Sequence, residues 1–309
     1  MRLWLPAASS MSHEVDFLLA SLTLIAFAVL ALVFGLILLF VFKYRAGSKV
    51  DRGALATKTW RLESAWTAAT LLIFFGLFIW GADLYLRLSQ PPSDALTVYI
   101  VAKQWMWKAE HVGGQREINA VHVPVGRPVQ LVMTSEDVIH DFAVPAFRVK
   151  HDVLPGRYDT LWFRADRPGT YDLFCTRFCG TDHAHMTGKI VVMEGPQYQQ
   201  WLEQNGTSGT LVADGKVLFM RYGCNGCHGG HGTVRAPSLN GVYGSPVPLS
   251  DGTTVIADDR YLRDSILMPR SQVVASFAPV MPSFAGQISE EDLIKLIAYI
   301  KSLAPENRS

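Results

Sequence analysis

The sequence has little charge and almost no excess of either sign. Its 309 residues include 28 Lys and Arg against 27 Asp and Glu, a formal net charge of +1, and charged residues make up 18%. A nearly neutral chain has no surface field that would recruit nucleic acid, so we expect no nucleic-acid partner. Cysteine is also scarce, with residues only at positions 175, 179, 224 and 227. Two tight pairs exclude a spread disulfide framework and favour metal or cofactor binding.

Motifs for substrate chemistry are missing as well. The sequence contains no phosphate-binding loop, no nucleophile–base arrangement and no paired-carboxylate motif. What it has in quantity is apolar residues, which make up 49% of the chain. The mean hydropathy is +0.18. This composition excludes a disordered chain and points towards a membrane.

Two long uncharged runs predict two membrane spans, at about 17–42 and 64–86. The first run has 26 residues, or about 39 Å of helix, which exceeds the roughly 30 Å hydrocarbon core of a bilayer. The second run is uncharged over 64–82, and Trp80 and Tyr85 lie near its far end, as in an interfacial aromatic belt. A buried helix of a soluble protein is the alternative interpretation of each run.

The basic residues predict the orientation of this hairpin. Arg2 is the only one before the first span, whereas six lie between the spans: Lys43, Arg45, Lys49, Arg52, Lys58 and Arg61. The positive-inside rule therefore places the loop in the cytoplasm and both termini outside. The opening MRLWLPAASS has too short an apolar core for a cleaved signal peptide, so we expect the first span to act as an uncleaved insertion signal.

The first outer region, 93–197, is typical of an all-β domain. Alternating apolar residues in LTVYIVAK and turn residues in VPVGRP and ADRPGTY predict a small sandwich or barrel. A set of soft ligands lies within it, suited to copper: His140, Cys175, Cys179, His183 and Met186. A single blue-copper ion needs one Cys, so the second thiolate favours two copper ions bridged by two thiolates.

The alternative for these residues is a reducible Cys175–Cys179 disulfide beside ordinary core histidines. That interpretation leaves the copper-like offsets of His183 and Met186 unexplained. His185 lies two residues from His183 and would point the other way on an extended loop, so we expect it at the surface.

The motifs HDF, VPAF, DVLPGRY, CTRFCGTDHAHM and QWMWKAE resemble subunit II of the haem-copper oxidases over residues 13 to about 200. The resemblance implies a two-span transmembrane hairpin (1–92), then an all-β cupredoxin-like sandwich (93–197) with a dinuclear copper centre. It implies the five copper ligands already named and, as a sixth donor, the main-chain carbonyl of Arg177. The family commonly has Glu at this position, which also binds magnesium at the interface with subunit I. Arg177 cannot bind magnesium, which argues against that ion here.

The resemblance also implies roles for two residues outside the segment 175–186. It makes Trp105 an exposed point where electrons enter near the copper, and it places Glu63 at the mouth of a proton pathway. Glu63 is otherwise explained as a helix N-terminal acid favoured by the helix dipole. Trp105 and Trp107 have the spacing that shares one face of a strand, and for Trp107 we expect sandwich packing. Asp152 is expected to be a polar interface group.

A second outer domain is predicted at 211–309, after a linker at 198–210. Cys224, Cys227 and His228 form the C-x-x-C-H pattern, in which both thiols attach a haem covalently and the histidine becomes an iron ligand. Two methionines compete for the other axial position. We favour Met281, in the Pro-flanked loop APVMPSF, over Met268, because a capped amphipathic helix follows that loop. The order of these parts resembles class I cytochromes c and implies an all-α domain. We expect His231 to face solvent.

Neither predicted metal site has an obvious open coordination position. This favours electron transfer over activation of a substrate. The resemblance implies a cytochrome c oxidase chain that passes electrons from haem c to copper and on to subunit I, where dioxygen is reduced with proton pumping. It also implies subunit III, an upstream cytochrome c or quinol-oxidising complex, and a bacterial inner membrane with both metal domains on the periplasmic side. Two alternatives stay open: a copper-containing nitric oxide reductase of similar plan, and a membrane-tethered carrier without a catalytic partner. Glu63 and Asp83, at the ends of an apolar hairpin, favour a protein partner.

Overall fold

The computed structural model describes residues 6–51, 59–206, 209–229 and 236–303. Arg2, Arg52, Lys58 and His231, which the sequence analysis used, lie outside these ranges. The described elements follow the predicted order of helical hairpin, β-sandwich and helical domain. The predicted fold class is therefore confirmed.

The hairpin consists of α1 (Ser12–Lys43) and α2 (Trp60–Ser89), each longer than the span predicted for it. Both helices are long and apolar enough to cross a membrane, and most of their side chains are exposed. The start of α1 and the end of α2 are attached to the sandwich. Arg148 donates to Asp16 at 2.7 and 2.9 Å, and the Trp162 indole N–H donates to the Arg87 carbonyl at 3.1 Å.

The sandwich has ten strands: β1 (Leu96–Lys103), β2 (Met106–His111), β3 (Arg116–Ile118), β4 (Ala120–Pro124), β5 (Pro128–Ser135), β6 (His140–Val144), β7 (Val149–Val153), β8 (Asp159–Arg164), β9 (Gly169–Cys175) and β10 (Thr187–Met193). One sheet has the order β3-β2-β1-β5-β8 and the other β4-β10-β9-β6-β7. Only the pairs β1–β5 and β10–β4 are parallel. Their inner faces form one core, whose large members include Trp107, Leu131, Phe142, Phe163 and Ile190.

A helix occupies much of the stretch predicted as a linker at 198–210. Helix α3 (Gly195–Gln204) lies against the sandwich, with Tyr198 buried and Trp201 stacked on His122 at 4.6 Å between ring centroids. The helix sequence is mostly polar, and the aromatic side chains of Tyr198 and Trp201 contact the sandwich. The first part of the predicted linker, 198–204, thus belongs to this helix.

The described residues of the C-terminal domain form four helices and a small hairpin: α4 (Leu211–Arg221), α5 (Asn225–His228), β11 (Pro246–Pro248), β12 (Thr254–Ile256), α6 (Asp259–Leu267) and α7 (Glu290–Ser302). Helix α4 packs across α7 at Gly215, where an added Cβ would lie 2.0 Å from the Lys295 carbonyl oxygen. Ser289 caps α7 by accepting from the Asp292 amide at 3.2 Å, as the capping pattern predicted.

Candidate functional site

Neighbouring strands bring the sulfur and imidazole groups to one end of the sandwich. His140 is the first residue of β6 and Cys175 the last of β9, and these strands pair with Phe142 opposite Cys175. The loop between β9 and β10 carries Cys179, His183 and Met186. All five predicted side-chain ligands therefore lie at the same edge, although they are spread over 47 positions of the chain.

The distances fit a metal centre and exclude a disulfide in this state. The Cys175 and Cys179 Sγ atoms are 3.8 Å apart, far beyond the roughly 2.05 Å of an S–S bond. They are close enough to bind the same ion at a metal–sulfur distance of about 2.3 Å. The ligand atoms of these two cysteines and His140 all lie within 4.8 Å of one another, and all three residues are buried.

The other donors surround the same two sulfur atoms. His140 Nδ1 lies 4.0 Å from Cys175 Sγ, and His183 Nδ1 lies 3.4 Å from Cys179 Sγ. Met186 Sδ is 3.8 Å from Cys179 Sγ. The Arg177 carbonyl oxygen lies 3.2 Å from Cys175 Sγ. Two thiols, two imidazoles, a thioether and a carbonyl form a soft donor set that fits copper.

The two thiols ionise unequally. Burial acts to raise the pKa of Cys175, but hydrogen bonds from His140 and the Asp141 and Arg177 backbone outweigh it and lower the pKa to about 7. Burial and the neighbouring Cys175 raise the pKa of Cys179 to about 12. The thiolate is the form that binds metal, and Cys175 is the more acidic of the two thiols.

Residues that the sequence analysis missed hold the ligands in place. Asp137 Oδ1 lies 2.8 Å from His140 Nε2, and Asp137 Oδ2 accepts from the Gln104 amide at 2.7 Å. The Gln104 side chain donates to the Cys179 carbonyl at 2.8 Å. A carboxylate on the far nitrogen of an imidazole fixes which nitrogen faces the metal. The only sequence signal was an Asp three residues before His140.

The two tryptophans differ from the expectation that they share a strand face. Trp107 lies in β2 and is fully buried, as predicted. Trp105 lies in the turn before β2 and is half-buried rather than exposed, because its ring packs on the sandwich core. A Cβ added at Gly180 would lie 3.2 Å from the Trp105 ring. The ring therefore lies beside the loop between β9 and β10, which carries Cys179 and His183.

A second candidate site lies inside the C-terminal domain. A cavity of about 510 Å³, lined mostly by apolar side chains, contains Cys224, Cys227, His228 and Met281 on its wall. The His228 Nδ1 atom lies 2.9 Å from the Pro237 carbonyl oxygen, a contact that orients the ring. Met268 does not line this cavity but is an exposed residue of a neighbouring surface pocket. The size, the apolar lining and the C-x-x-C-H set fit a haem.

The side chains of the remaining candidates are not among the donor groups described at either site. Glu63 is in the first turn of α2 and accepts a hydrogen bond from the Thr59 hydroxyl at 2.6 Å, while Asp83 pairs with Arg87 at 3.0 Å. The side chains of Arg177 and His185 are exposed, and His185 contacts Asp182. Asp152 is half-buried.

Comparison with known proteins agrees with this geometry. Residues 96–194 match the family model described as cytochrome c oxidase subunit II, periplasmic domain, and residues 212–304 match the model for cytochrome c.

Curated relatives bear the same family name. A cytochrome c oxidase subunit 2 of Alkalihalophilus pseudofirmus is 29% identical over 78% of this chain and 73% of its own length. One from Cereibacter sphaeroides is 29% identical over 64% of this chain and 78% of its own. The crystal structure of the periplasmic domain of cytochrome oxidase subunit II from Bradyrhizobium japonicum is 33% identical, with a TM-score of 0.36, and covers 38% of this chain and 96% of that one.

Proposed function

We propose that this chain, which belongs to the cytochrome c oxidase subunit II family and carries a fused cytochrome c domain, passes electrons from its cytochrome domain through its sandwich to a membrane-embedded catalytic subunit. One observation carries the proposal: a chain without substrate-activating motifs joins a closed sulfur–imidazole cluster to a C-x-x-C-H cavity. The partners would be subunit I of a haem-copper oxidase, which reduces dioxygen and pumps protons, and subunit III.

The sandwich site would hold two copper ions. His140 and His183 would each bind one ion, Cys175 and Cys179 would bridge them, and Met186 and the Arg177 carbonyl would complete the set. Copper bound by such ligands supplies one-electron chemistry. Asp137 orients His140, and burial of the cluster keeps water from the sulfur atoms. The exposed Arg177 side chain offers no ligand to magnesium, so we propose that no magnesium is bound at this position.

The cavity of the C-terminal domain would hold haem c. Cys224 and Cys227 would attach it covalently, and His228 and Met281 would be the axial ligands. The Pro237 carbonyl would keep His228 in one orientation. Methionine as an axial ligand raises the potential of a haem, which suits a group that donates to copper.

The hairpin would anchor the chain in a bacterial inner membrane with both termini and both metal domains on the periplasmic side. The attachment of both outer helix ends to the sandwich supports this orientation, because it places the loop after Lys43 on the opposite side. We keep Glu63 as the mouth of a proton pathway and Trp105 as the route of electrons towards copper. The position of the Trp105 ring beside Gly180 supports the second role. The electron donor would be a cytochrome c or a quinol-oxidising complex.

Turnover of the native complex tests the proposal. The complex is isolated through a tag on this chain, given an artificial reductant, and offered dioxygen and nitric oxide separately. We expect dioxygen consumption that is lost in His183→Ala and kept in the matched control His185→Ala, whose side chain is exposed two residues away. Nitric oxide consumption alone would indicate the reductase instead. An isolated chain with no copurifying subunit would leave a tethered carrier.

A further inference from the structure

The cytochrome domain covers the outer face of the first sheet. Val98, Ile100 and Ala102 of β1 face the sandwich core, whereas Tyr99 and Val101 face outwards and are nevertheless buried. Together with Val132 of β5 they pack against Leu211 of α4 and Ile294 of α7. Strand β1 is therefore buried on both faces, and the two domains share one apolar contact.

Apolar contact by itself does not fix how two surfaces are rotated or shifted, because the hydrophobic effect has no direction. Charged pairs across an interface fix its register, because each pair forms only where its two partners are aligned. Ion pairs and a hydrogen bond to the backbone also join the two domains. Lys295 Nζ lies 3.9 Å from Glu110 Oε1, and Arg116 Nη2 lies 3.5 Å from Asp214 Oδ2. The Arg263 guanidinium donates to the Gly156 carbonyl at 2.8 Å.

Lys108 differs from these pairs because it connects three parts of the chain. Its Nζ atom, carried by β2, lies 2.7 Å from Glu291 Oε1 at the start of α7 and 2.9 Å from Glu136 Oε1. Glu136 directly precedes Asp137, whose carboxylate contacts the imidazole of His140. One ammonium group thus ties the cytochrome domain to the loop that carries a copper ligand.

Lys103 provides a natural comparison. Its Nζ atom lies 2.9 Å from Glu136 Oε2, so it contacts the same carboxylate from the sandwich side. Among the described residues, the ion pairs of Lys103 do not extend to the cytochrome domain. The two lysines therefore share one partner and differ in the contact with Glu291.

We propose that Lys108 is a positioning residue, which holds the cytochrome domain in one register on the sandwich through Glu291 and Glu136. Electrons then pass between the two domains of one chain across a fixed interface at the loop that precedes His140. The electron-transfer part of this inference rests on the proposed function, whereas the register itself does not.

The first test is a chemical one and requires no activity. The purified complex is treated with a zero-length carbodiimide, which joins an amine to a carboxylate only where they are in contact, and the cross-linked peptides are identified by mass spectrometry. We expect a Lys108–Glu291 cross-link whose yield is independent of protein concentration and is lost in Glu291→Gln. Absence of that cross-link beside a clear Lys103–Glu136 cross-link would overturn the proposal.

The second test measures electron transfer from haem to copper in the same complex. We expect Lys108→Met and Glu291→Gln to slow the transfer by about fivefold, the size of effect expected for one half-buried ion pair. Lys103→Met should leave the rate unchanged, and Lys108→Arg should restore it, while the haem and copper spectra stay those of the wild type. Equal rates in Lys108→Met and Lys103→Met would overturn the proposal. A wild-type complex that is loaded with both groups and shows no transfer would instead overturn the proposed function.

Discussion

The imidazole of His140 is held from behind by Asp137, with 2.8 Å between His140 Nε2 and the carboxylate oxygen. The other carboxylate oxygen of Asp137 accepts a hydrogen bond from the Gln104 backbone amide, so the carboxylate is itself fixed. His140 is fully buried, and its only freedom is rotation about its side-chain bonds. The Asp137 contact removes that freedom and leaves Nδ1 directed to the sulfur atoms.

Loss of this contact should weaken copper binding. We expect Asp137→Ala to lower copper affinity by about 10- to 100-fold, because an unsupported imidazole is a poorer ligand. Competition with a chelator of known affinity measures the change. The matched control is Asp182→Ala, which removes the same i,i+3 contact from the exposed His185. Equal losses in the two variants would contradict the role of Asp137.

The two methionines that compete for the haem iron, Met281 and Met268, should behave differently. Met281 lines the cavity, whereas Met268 does not. We expect Met281→Ala to lower the haem reduction potential by about 0.1 V and to let added imidazole bind the iron, because a weak axial donor has been removed. Potentiometry and optical titration would show both effects. Met268→Ala should match the wild type, and the reverse result would exchange the assignments.

Helix crossing in the same domain depends on Gly215. A Cβ there would lie 2.0 Å from the backbone carbonyl of Lys295, and backbone cannot rotate away as a flexible side chain can. We expect Gly215→Ala to destabilise the domain by about 1–3 kcal/mol and to lower its thermal midpoint. Lys216→Ala, at the next and exposed position, should change the midpoint little. Equal midpoints for Gly215→Ala and wild type would show that α4 and α7 lie farther apart than described.

Acid should destabilise the sandwich at Glu117, which contacts His122 on the face where Trp201 of α3 stacks. Burial acts to raise the pKa of Glu117, but hydrogen bonds from His111 and His122 outweigh it and lower the pKa to about 2 from 4.5. A depressed pKa stabilises the fold above pH 4.5, and this contribution, at most about 3 kcal/mol, is lost as the pH falls towards 2. We expect the thermal midpoint of the wild type to fall more steeply between pH 5 and about 3 than that of Glu117→Gln. Parallel curves would contradict this role.

Local patterns predicted which candidate side chains the fold brings together and the order of the described elements, because metal sites, haem attachment and membrane spans each need fixed residue types at fixed spacings. The contacts between elements were harder to predict. Asp137, Lys108 and Glu291 are ordinary charged residues in the sequence, and only the fold brings them together. One signal was present: Tyr99 and Val101 make both faces of β1 apolar, which indicates that a second layer covers the sheet.

The half-buried position of Trp105 has a related origin. Two-residue spacing predicts a shared strand face, but Trp105 lies in the turn that precedes β2, whereas Trp107 lies in β2 itself. Turns in this position depend on the pairing register of β1 and β2, which the sequence pattern alone does not fix.

The central claim is that electrons cross between two domains of a single chain. Rapid-mixing measurement on the purified complex without dioxygen tests it most directly, by following the optical signals of haem and copper after reduction with less than one electron per chain. We expect that haem is reduced first and that copper is reduced at the expense of haem, at a first-order rate independent of protein concentration. Copper reduced before haem, or a rate proportional to protein concentration, would contradict it.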